Sequence, residues 1–187
     1  MRVEVGHVAM QLFLKQGFDK TTIDQIVAAT GMSRTSFFRH FATKEDVVLG
    51  HVEELGHQVL EALCARPESE SAWQALRRAF DLLTEETAAS PEEQLRMARM
   101  LDSTPSLKIR QLGKQLTWHA LLVPEIARRL NVGDATRDPR PRALVAAALG
   151  CLNAAVATWT DTDGTIALPD LLDQAMGALT QDARLSA

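Results

Sequence analysis

The most constraining feature of this chain is residues 21–44, TTIDQIVAATGMSRTSFFRHFATK, in which two short helical patterns flank a glycine. Thr22 and Gln25 have the spacing of a capping box, which predicts the start of one helix. Gly31 fits a sharp turn, because glycine accepts positive φ without steric cost. Ser33 is a suitable N-cap for the next helix. The stretch therefore predicts a helix, a tight turn and a second helix.

The second of these helices has one apolar side and one hydrogen-bonding side. Phe37 and Phe41 are four residues apart, so they lie on the same side and can pack on Ile26. The opposite side carries Ser33, Arg34, Thr35, Ser36, Arg39 and His40. A short helix with such a polar side, supported by a preceding helix, is suited to the major groove of DNA. The sequence thus predicts a helix-turn-helix domain.

The residues before this stretch complete a small helical bundle. An amphipathic first helix is indicated by the spacing of Val5, Val8, Ala9, Leu12 and Phe13. Gly17 ends it. Helical patterns continue to the end of the chain, and the alternation typical of strands is absent. We predict an all-α fold of about nine helices, with an N-terminal three-helix bundle over residues 1–46 and a second helical domain over 47–187.

Residues 12–48 resemble the DNA-binding domain of the tetracycline-repressor (TetR) family. Their sequence is LFLKQGFDKTTIDQIVAATGMSRTSFFRHFATKEDVV. The resemblance rests on Gly17-Phe18, Thr21-Thr22, Gly31, Ser33, Phe37, His40-Phe41 and Lys44-Glu45. It implies a transcriptional regulator without catalytic activity or cofactor, whose second domain binds an effector and a second subunit. It also implies a ligand-gated repressor that binds a palindromic operator in double-stranded DNA as a homodimer. The family also contains activators.

Candidate DNA contacts follow from the predicted recognition helix and from this resemblance. We expect Arg34 and Thr35 at base edges, since arginine pairs bidentately with guanine and a threonine methyl can contact thymine. Phe38, where the family often has tyrosine, can pack on the sugar-phosphate backbone. Ser36 and Arg39 share the same face, for bases or phosphates. Phosphate contacts are expected from Thr22, Ser33, His40 and Lys44. A solvated surface role is the alternative for each, and for His40 a hydrogen bond within the domain.

The net charge of −4 is unusual for a DNA-binding protein, but the charge is unevenly distributed. Residues 1–50 contain six Lys/Arg and five Asp/Glu, and the remainder contains 14 and 19. Placement matters more than the sum, because exposed charges are screened beyond about 8–10 Å. A surplus of one positive charge in this segment would still attract DNA phosphates only weakly. A TetR-like ligand-binding protein with weak or lost DNA binding is therefore the alternative.

The resemblance also implies a basic arm ahead of the first helix, whereas the sequence as given starts with Met1-Arg2-Val3. A longer natural chain and a binding mode with fewer phosphate contacts both remain open.

The last two predicted helices are apolar on more than one side, so each must be buried on several faces. A partner subunit could bury the apolar sides that the protomer leaves exposed, and the TetR resemblance implies a homodimer built from this helix pair. Burial inside a single subunit is the alternative. The interface candidates are Leu144, Ala148, Leu152, Leu171, Ala175 and Leu179.

Bulky residues of the middle helices could line a ligand pocket, since such sites are mostly apolar with a few polar groups. A solid core is the alternative for each. Residues 75–181 also resemble the C-terminal domain of TetR-like regulators related to the mycofactocin regulator, which implies a small hydrophobic effector of acyl or acyl-CoA-like chemistry. The pocket candidates are Trp73, Phe80, Met97, Met100, Leu101, Leu116, Trp118, His119, Leu122, Asn153, Val156 and Trp159, with Arg99 and Thr158 as further polar groups.

Other classes of protein are disfavoured by the sequence. No run of about 18 apolar residues predicts a membrane span, and Cys64 and Cys151 form no metal or redox motif, so we expect a cytoplasmic protein. His51 and His57 lie about 240° apart around a helix, which does not suit a metal site with Glu54. Neither a Ser-His-acid signature nor a phosphate-binding loop is present.

Overall fold

The computed structural model describes residues 2–134 and 136–185, apart from the side chains at 2, 3, 51, 112, 114 and 181–185. Within those ranges it contains ten α-helices and no β-strand, which confirms the predicted all-α fold. The helices are α1 (Arg2–Gln16), α2 (Ile23–Thr30), α3 (Arg34–His40), α4 (Lys44–Cys64), α5 (Ala72–Ala79), α6 (Asp81–Ala89), α7 (Pro91–Ser103), α8 (Pro105–Arg129), α9 (Arg140–Asp161) and α10 (Leu168–Leu185).

One difference from the predicted helices is a break at Phe80, which divides the expected helix 72–88 into α5 and α6. The Phe80 N–H donates to the Arg77 carbonyl at 3.2 Å, and the Leu83 N–H donates to the Phe80 carbonyl at 3.0 Å. This is a tight turn at a fully buried residue. Neither proline nor glycine marks the turn, so the sequence carries no local signal for it.

The chain forms two compact units that do not follow the boundary predicted at residue 46. The first comprises the residues up to Leu55 together with Arg96–Lys114. The second comprises Gly56–Leu95 together with the residues from Gln115 onward. Helices α4, α7 and α8 each contribute residues to both units. The difference arises because residues 96–114 complete the core around the helix-turn-helix.

The first unit is organised around a cluster of aromatic rings. The ring centroids of Phe13 and Phe18 are 5.0 Å apart, and those of Phe37 and Phe41 are 5.4 Å apart. Leu107 of α8 is fully buried in the same cluster. This packing fixes α3, which at seven residues is too short to be stable alone. Partly buried side chains that cover the cluster include Met97, Met100 and Leu101.

The second unit is built on the packing of α9 against α10, with α5 against α9. Arg77 ties three of its helices together, because its guanidinium is paired with Asp81 of α6 and with Asp173 of α10. The buried side chains of the two long helices include Val145, Ala148, Leu152 and Trp159 on α9, and Leu171, Leu172 and Met176 on α10.

Helix α9 is, among the residues that the structure describes, the one helix whose length and apolar composition would allow it to cross a membrane. Length and composition alone are weak evidence, since a core helix of a soluble protein passes the same test. One side of α9 is buried in the second unit, which gives a packing reason for its apolar residues.

A buried arginine closes the C-terminal end of α4. The Arg129 guanidinium donates to the carbonyls of Leu63 at 2.8 Å, Arg66 at 2.7 Å and Pro67 at 3.1 Å. It also donates to the Glu125 carboxylate at 2.9 Å. Arg129 therefore adds a donor to the Leu63 carbonyl at the end of α4 and to two carbonyls of the loop that follows, where the helix no longer supplies its regular hydrogen bonds. Hydrogen bonds from Arg128 hold the pKa of the Glu125 carboxyl below its usual value.

A close contact lies midway along α4. A Cβ atom at Gly56 would be 2.4 Å from Nε1 and 2.7 Å from Cδ1 of Trp118 on α8. Both residues belong to the second unit. Glycine is unfavourable inside a helix, so its use here is explained by the space that the indole occupies.

Gly56→Ala is therefore expected to lower the free energy of unfolding by about 1–3 kcal/mol through overpacking. The matched control is Gly113→Ala in α8, where an added Cβ meets nothing within 4 Å. That change should raise the free energy by up to about 1 kcal/mol, because alanine is the better helix former. Urea denaturation of both variants measures the difference, and two shifts of the same sign would contradict the expectation.

Candidate DNA-binding surface

The turn between α2 and α3 has the predicted capping geometry. Thr22 Oγ1 accepts from the Gln25 N–H at 3.2 Å, and the Thr22 N–H donates to Gln25 Oε1 at 2.9 Å. Gly31 follows α2 with φ +68°. Ser33 Oγ accepts from the Ser36 N–H at 3.1 Å, which starts α3. These local predictions are confirmed, and together they fix the direction in which α3 leaves the turn.

Gln16 and Thr21, neither of them a predicted contact residue, form hydrogen bonds that hold the start of α2. Gln16 Nε2 donates to Thr21 Oγ1 at 3.1 Å and to Gln25 Oε1 at 3.0 Å. Thr21 Oγ1 donates in turn to the Gly17 carbonyl at 2.8 Å. Gln16 and Thr21 are five residues apart across a turn, a spacing that no helical or strand periodicity indicates. They connect the end of α1 to the helix-turn-helix.

Helix α3 presents its polar side to solvent. Phe37 is completely buried, whereas the adjacent Phe38 is 47% exposed. The two rings meet edge to face, with centroids 5.5 Å apart. The predicted contact residues Thr22, Ser33, Arg34, Thr35 and Arg39 are exposed, and Ser36 and His40 are half-buried. The structure therefore leaves these candidates wholly or partly accessible to solvent.

Arg34 is held in place by its neighbours. Its Nη1 is 3.1 Å from Asp24 Oδ1, a contact between α3 and α2. Its Cζ is 6.0 Å from the Phe38 ring centroid, within the range of a cation–π contact. Both partners of the ion pair are largely exposed, so the pair contributes little to stability. It does place a carboxylate beside the expected base-reading arginine.

The position of Lys44 differs from the phosphate contact that we expect for it. Its ammonium donates to the carbonyls of Phe18 at 2.9 Å and Thr21 at 3.3 Å, with Asp19 O at 3.5 Å. It also lies 4.2 Å from the Phe18 ring centroid. An ammonium has three donors, and the carbonyls of the α1–α2 turn take them. The structure gives this side chain a role in holding the start of α4 to that turn.

The predicted pocket residues are not brought together in one unit. Met97, Met100 and Leu101 cover the core of the first unit. In the second unit Phe80, Trp118, Leu122 and Trp159 are buried, and Trp73, His119 and Val156 are half-buried. Asn153 and Leu116 are exposed, as are Arg99 and Thr158. The spacing of apolar residues placed Phe80, Trp118, Leu122 and Trp159 correctly inside, but it misplaced Leu116, which is 73% exposed, and could not assign residues to a unit.

Two of the polar pocket candidates have partners within the second unit. Asn153 Oδ1 accepts from Gln115 Nε2 at 2.8 Å, and His119 Nε2 lies 3.1 Å from the Arg142 carbonyl. These contacts connect α8 to α9.

The dimer candidates are divided between the inside and the outside of the second unit. Ala148, Leu152 and Leu171 are buried within the protomer. Leu144 and Ala175 are half-buried, and Leu179 is 52% exposed. Burial within the protomer is the alternative that the sequence left open for the three buried residues, and the interface itself stays a prediction. The outward side of α9 carries Ala143, Ala146, Gly150, Ala154 and Ala157.

Helix α4 carries His51, Glu54 and His57, whose spacing does not suit a metal site. The side chain of His51 lies outside the described residues. Among those that the structure does describe, His, Cys, Asp and Glu form no group of three or more placed to hold a metal ion.

Two family models match the chain. Residues 7–50 match the model described as bacterial regulatory proteins, tetR family, and residues 70–184 match the MftR C-terminal domain. The chain is 35% identical over 144 residues to the HTH-type transcriptional regulator TcmR of Streptomyces glaucescens, covering 74% of this chain and 63% of that protein. It is 26% identical over 175 residues to the proposed mycofactocin biosynthesis transcriptional regulator MftR of Mycobacterium tuberculosis, covering 91% and 85%.

A similar fold occurs in the crystal structure of the repressor FadR from Thermus thermophilus in complex with lauroyl-CoA. The TM-score is 0.62 at 22% identity, over 96% of this chain and 93% of that chain.

The helix-turn-helix with an exposed α3, joined to a second helical unit, defines the class of helix-turn-helix transcriptional regulators. The family models cover most of the described residues and agree with that class. The chain belongs to the TetR family of bacterial regulatory proteins, whose members regulate transcription and are not enzymes.

Proposed function

We propose that this protein is a repressor that binds a palindromic operator as a homodimer and is released by a small hydrophobic effector. The observation that carries the proposal is the exposed polar side of α3, with Arg34, Thr35 and Arg39 outward and Phe37 in the core. A helix held in this way can enter a major groove without rearranging the unit that supports it. Membership of the TetR family supports the same conclusion.

The second subunit is proposed to cover the outward sides of α9 and α10. Alanine and glycine on α9 allow two helices to approach closely, and Leu179 supplies an exposed apolar side chain on α10. Two recognition helices about 34 Å apart would then reach successive major grooves. Sedimentation equilibrium should give about twice the chain mass of 20.5 kDa. A single-chain mass at micromolar concentration would contradict the dimer.

The effector is proposed to bind in the second unit and to have acyl or acyl-CoA-like chemistry. Support comes from the match to the MftR C-terminal domain and from the lauroyl-CoA held by the similarly folded FadR. A ligand can release DNA only through different affinities for the two arrangements of α4 that we propose. Lauroyl-CoA should therefore raise the melting temperature and weaken operator binding, whereas free CoA should do neither.

A repressor of this kind acts where the DNA is, so we propose a cytoplasmic location.

Arg34→Ala is expected to weaken operator binding by about 1–3 kcal/mol and to relax sequence preference at one position of each half-site. The physical reason is the loss of a bidentate base contact. The measurement is a DNA titration at several salt concentrations with the protein's own upstream region and a scrambled duplex. Arg78→Ala is the matched control, because Arg78 is an exposed arginine on α5 in the second unit. Equal affinities for the Arg34→Ala variant and the wild type would contradict the assignment.

Asp24→Asn separates the proposal from its alternative, a ligand-binding protein with weak DNA binding. The Asp24 carboxylate offsets the Arg34 charge and would repel phosphates. If α3 binds DNA, the substitution should strengthen binding to both duplexes. If the wild type and this variant both leave DNA unbound, the first unit has lost its DNA-binding role. A reporter gene behind the upstream region distinguishes repression from activation.

A further inference from the structure

The ion pair between Asp24 and Arg34 joins the two helices of the candidate DNA-binding surface. Asp24 lies in the first turn of α2, and Arg34 is the first residue of α3. Nη1 of Arg34 is 3.1 Å from Oδ1 and 3.4 Å from Oδ2 of Asp24. Because the two side chains are 61% and 67% exposed, the pair adds little to stability. Its main effect is on the position of the Arg34 guanidinium, at the residue that we expect to read bases.

A second contact restricts this guanidinium from within α3. Phe38 follows Arg34 by four residues, so the two side chains lie on the same side of the helix. The Arg34 Cζ is 6.0 Å from the Phe38 ring centroid, and that ring meets the buried Phe37 edge to face. A free arginine side chain has many rotamers and loses most of them when it binds. Contacts that restrict Arg34 before DNA arrives lower this cost for one orientation.

The pair with Asp24 leaves one edge of the guanidinium for DNA. A guanidinium carries five N–H donors in a rigid planar fork, and Nε and Nη2 form a pair of parallel donors in it. Asp24 and Phe38 are the partners of the Arg34 guanidinium within the part of the chain that the structure describes. Two parallel donors match O6 and N7 of guanine. Nε and Nη2 can therefore make the bidentate contact while Nη1 stays on the carboxylate.

The same carboxylate disfavours DNA of other sequences. Every duplex offers phosphates, and their attraction for cations supplies most nonspecific binding. Arg34 must leave Asp24 in order to turn toward a phosphate, and the Asp24 charge itself repels phosphates. A guanine at the matching position lets Arg34 bind without leaving Asp24. Specificity is a difference between two affinities, and the pair increases that difference.

We propose that Asp24 is a positioning residue that sets the sequence specificity of Arg34. It holds the Nε–Nη2 edge for a guanine and weakens the binding of DNA that lacks one. The inference rests on the proposed function and deepens it, because it assigns a guanine to the half-site position that Arg34 reads and gives a residue of α2 a part in that choice.

The experiment is selection by the full chain from a pool of random duplexes, followed by titration of the selected duplex and a scrambled one. The wild type should select guanine at one position of each half-site. Asp24→Asn keeps the size of the side chain and removes its charge. It should lower that preference by about two- to fivefold, the range that an exposed ion pair can supply. Its affinity should rise more for the scrambled duplex than for the selected one.

Asp19→Asn is the matched control, because it removes an exposed negative charge from the same unit without removing a partner of Arg34. It should leave the guanine preference unchanged. Arg34→Met removes every donor, so the preference should disappear, and Asp24→Asn added to Arg34→Met should then change nothing at that position. Thermal melts of each variant verify folding.

The outcomes separate this inference from the proposed function. An unchanged guanine preference in Asp24→Asn, an equal loss in Asp19→Asn, or an effect of Asp24→Asn that persists beside Arg34→Met would overturn the inference and leave the proposed function standing. A wild type that selects no sequence from the pool would overturn both.

Discussion

Replacing Arg129 with methionine is expected to lower the free energy of unfolding by about 3–5 kcal/mol. The Arg129 side chain is only 2% exposed, and its donors are taken by three backbone carbonyls and the Glu125 carboxylate. Methionine would fill similar space but remove one donor from each of the carbonyls of Leu63, Arg66 and Pro67. The Leu63 and Pro67 carbonyls would each keep one backbone N–H donor. The substitution would also leave a buried carboxylate with one partner fewer. Urea denaturation followed by circular dichroism measures the loss.

The adjacent Arg128 provides a control on the same carboxylate. Its side chain is 51% exposed, and it binds Glu125 and Glu68 from the solvent side. Arg128→Met should cost no more than about 1 kcal/mol, because exposed ion pairs contribute little. Removal of either arginine takes one positive charge from the same helix, so net charge cannot explain a difference between them. Equal destabilisation by both substitutions would contradict the role assigned to Arg129.

The same kind of contact occurs at both ends of α4. Lys44 at its first residue donates to carbonyls of the α1–α2 turn, and Arg129 donates to the Leu63 carbonyl at the other end of α4. Between them Gly56 weakens the helix and accommodates Trp118. A helix that contributes to both units is thus held at each end by a cation. This arrangement suits the proposed mechanism, in which the effector acts on DNA binding through α4.

Local signals in the sequence predicted the helix-turn-helix accurately. The capping pairs at Thr22 and Ser33 involve residues three positions apart, so they can be recognised in the sequence without a tertiary structure. The positive φ at Gly31 is equally local. The four-residue spacing of Phe37 and Phe41 correctly placed both rings in the core.

Contacts between distant segments could not be predicted in this way. The Lys44 ammonium lies on carbonyls more than twenty residues earlier, and backbone carbonyls carry no sequence signal. Asp24 and Arg34 meet only because the turn brings α2 against α3. Helix α9 shows a different limit. Its inner and outer sides are both apolar, so periodicity could not show that Ala148 and Leu152 face the protomer core.

Replacing Phe37 with alanine is expected to lower the free energy of unfolding of the first unit by about 3–5 kcal/mol and to abolish DNA binding. The Phe37 ring is completely buried and contacts both Phe38 and Phe41. Its loss leaves a cavity in the cluster that holds α3. Because α3 has only seven residues, it depends on this packing rather than on its own hydrogen bonds. Hydrogen exchange should show lost protection in α3, with α9 and α10 less affected.

Phe38→Ala tests this explanation on the neighbouring ring. Phe38 is 47% exposed on the polar side of α3, so its removal should change the stability by less than about 1 kcal/mol. It should still weaken DNA binding, because the exposed ring is proposed to pack on the sugar-phosphate backbone. The pair therefore separates stability from recognition at consecutive positions. Were Phe38→Ala the more destabilising of the two, α3 would have to lie with its polar side toward the core, and the proposed DNA-binding surface would be wrong.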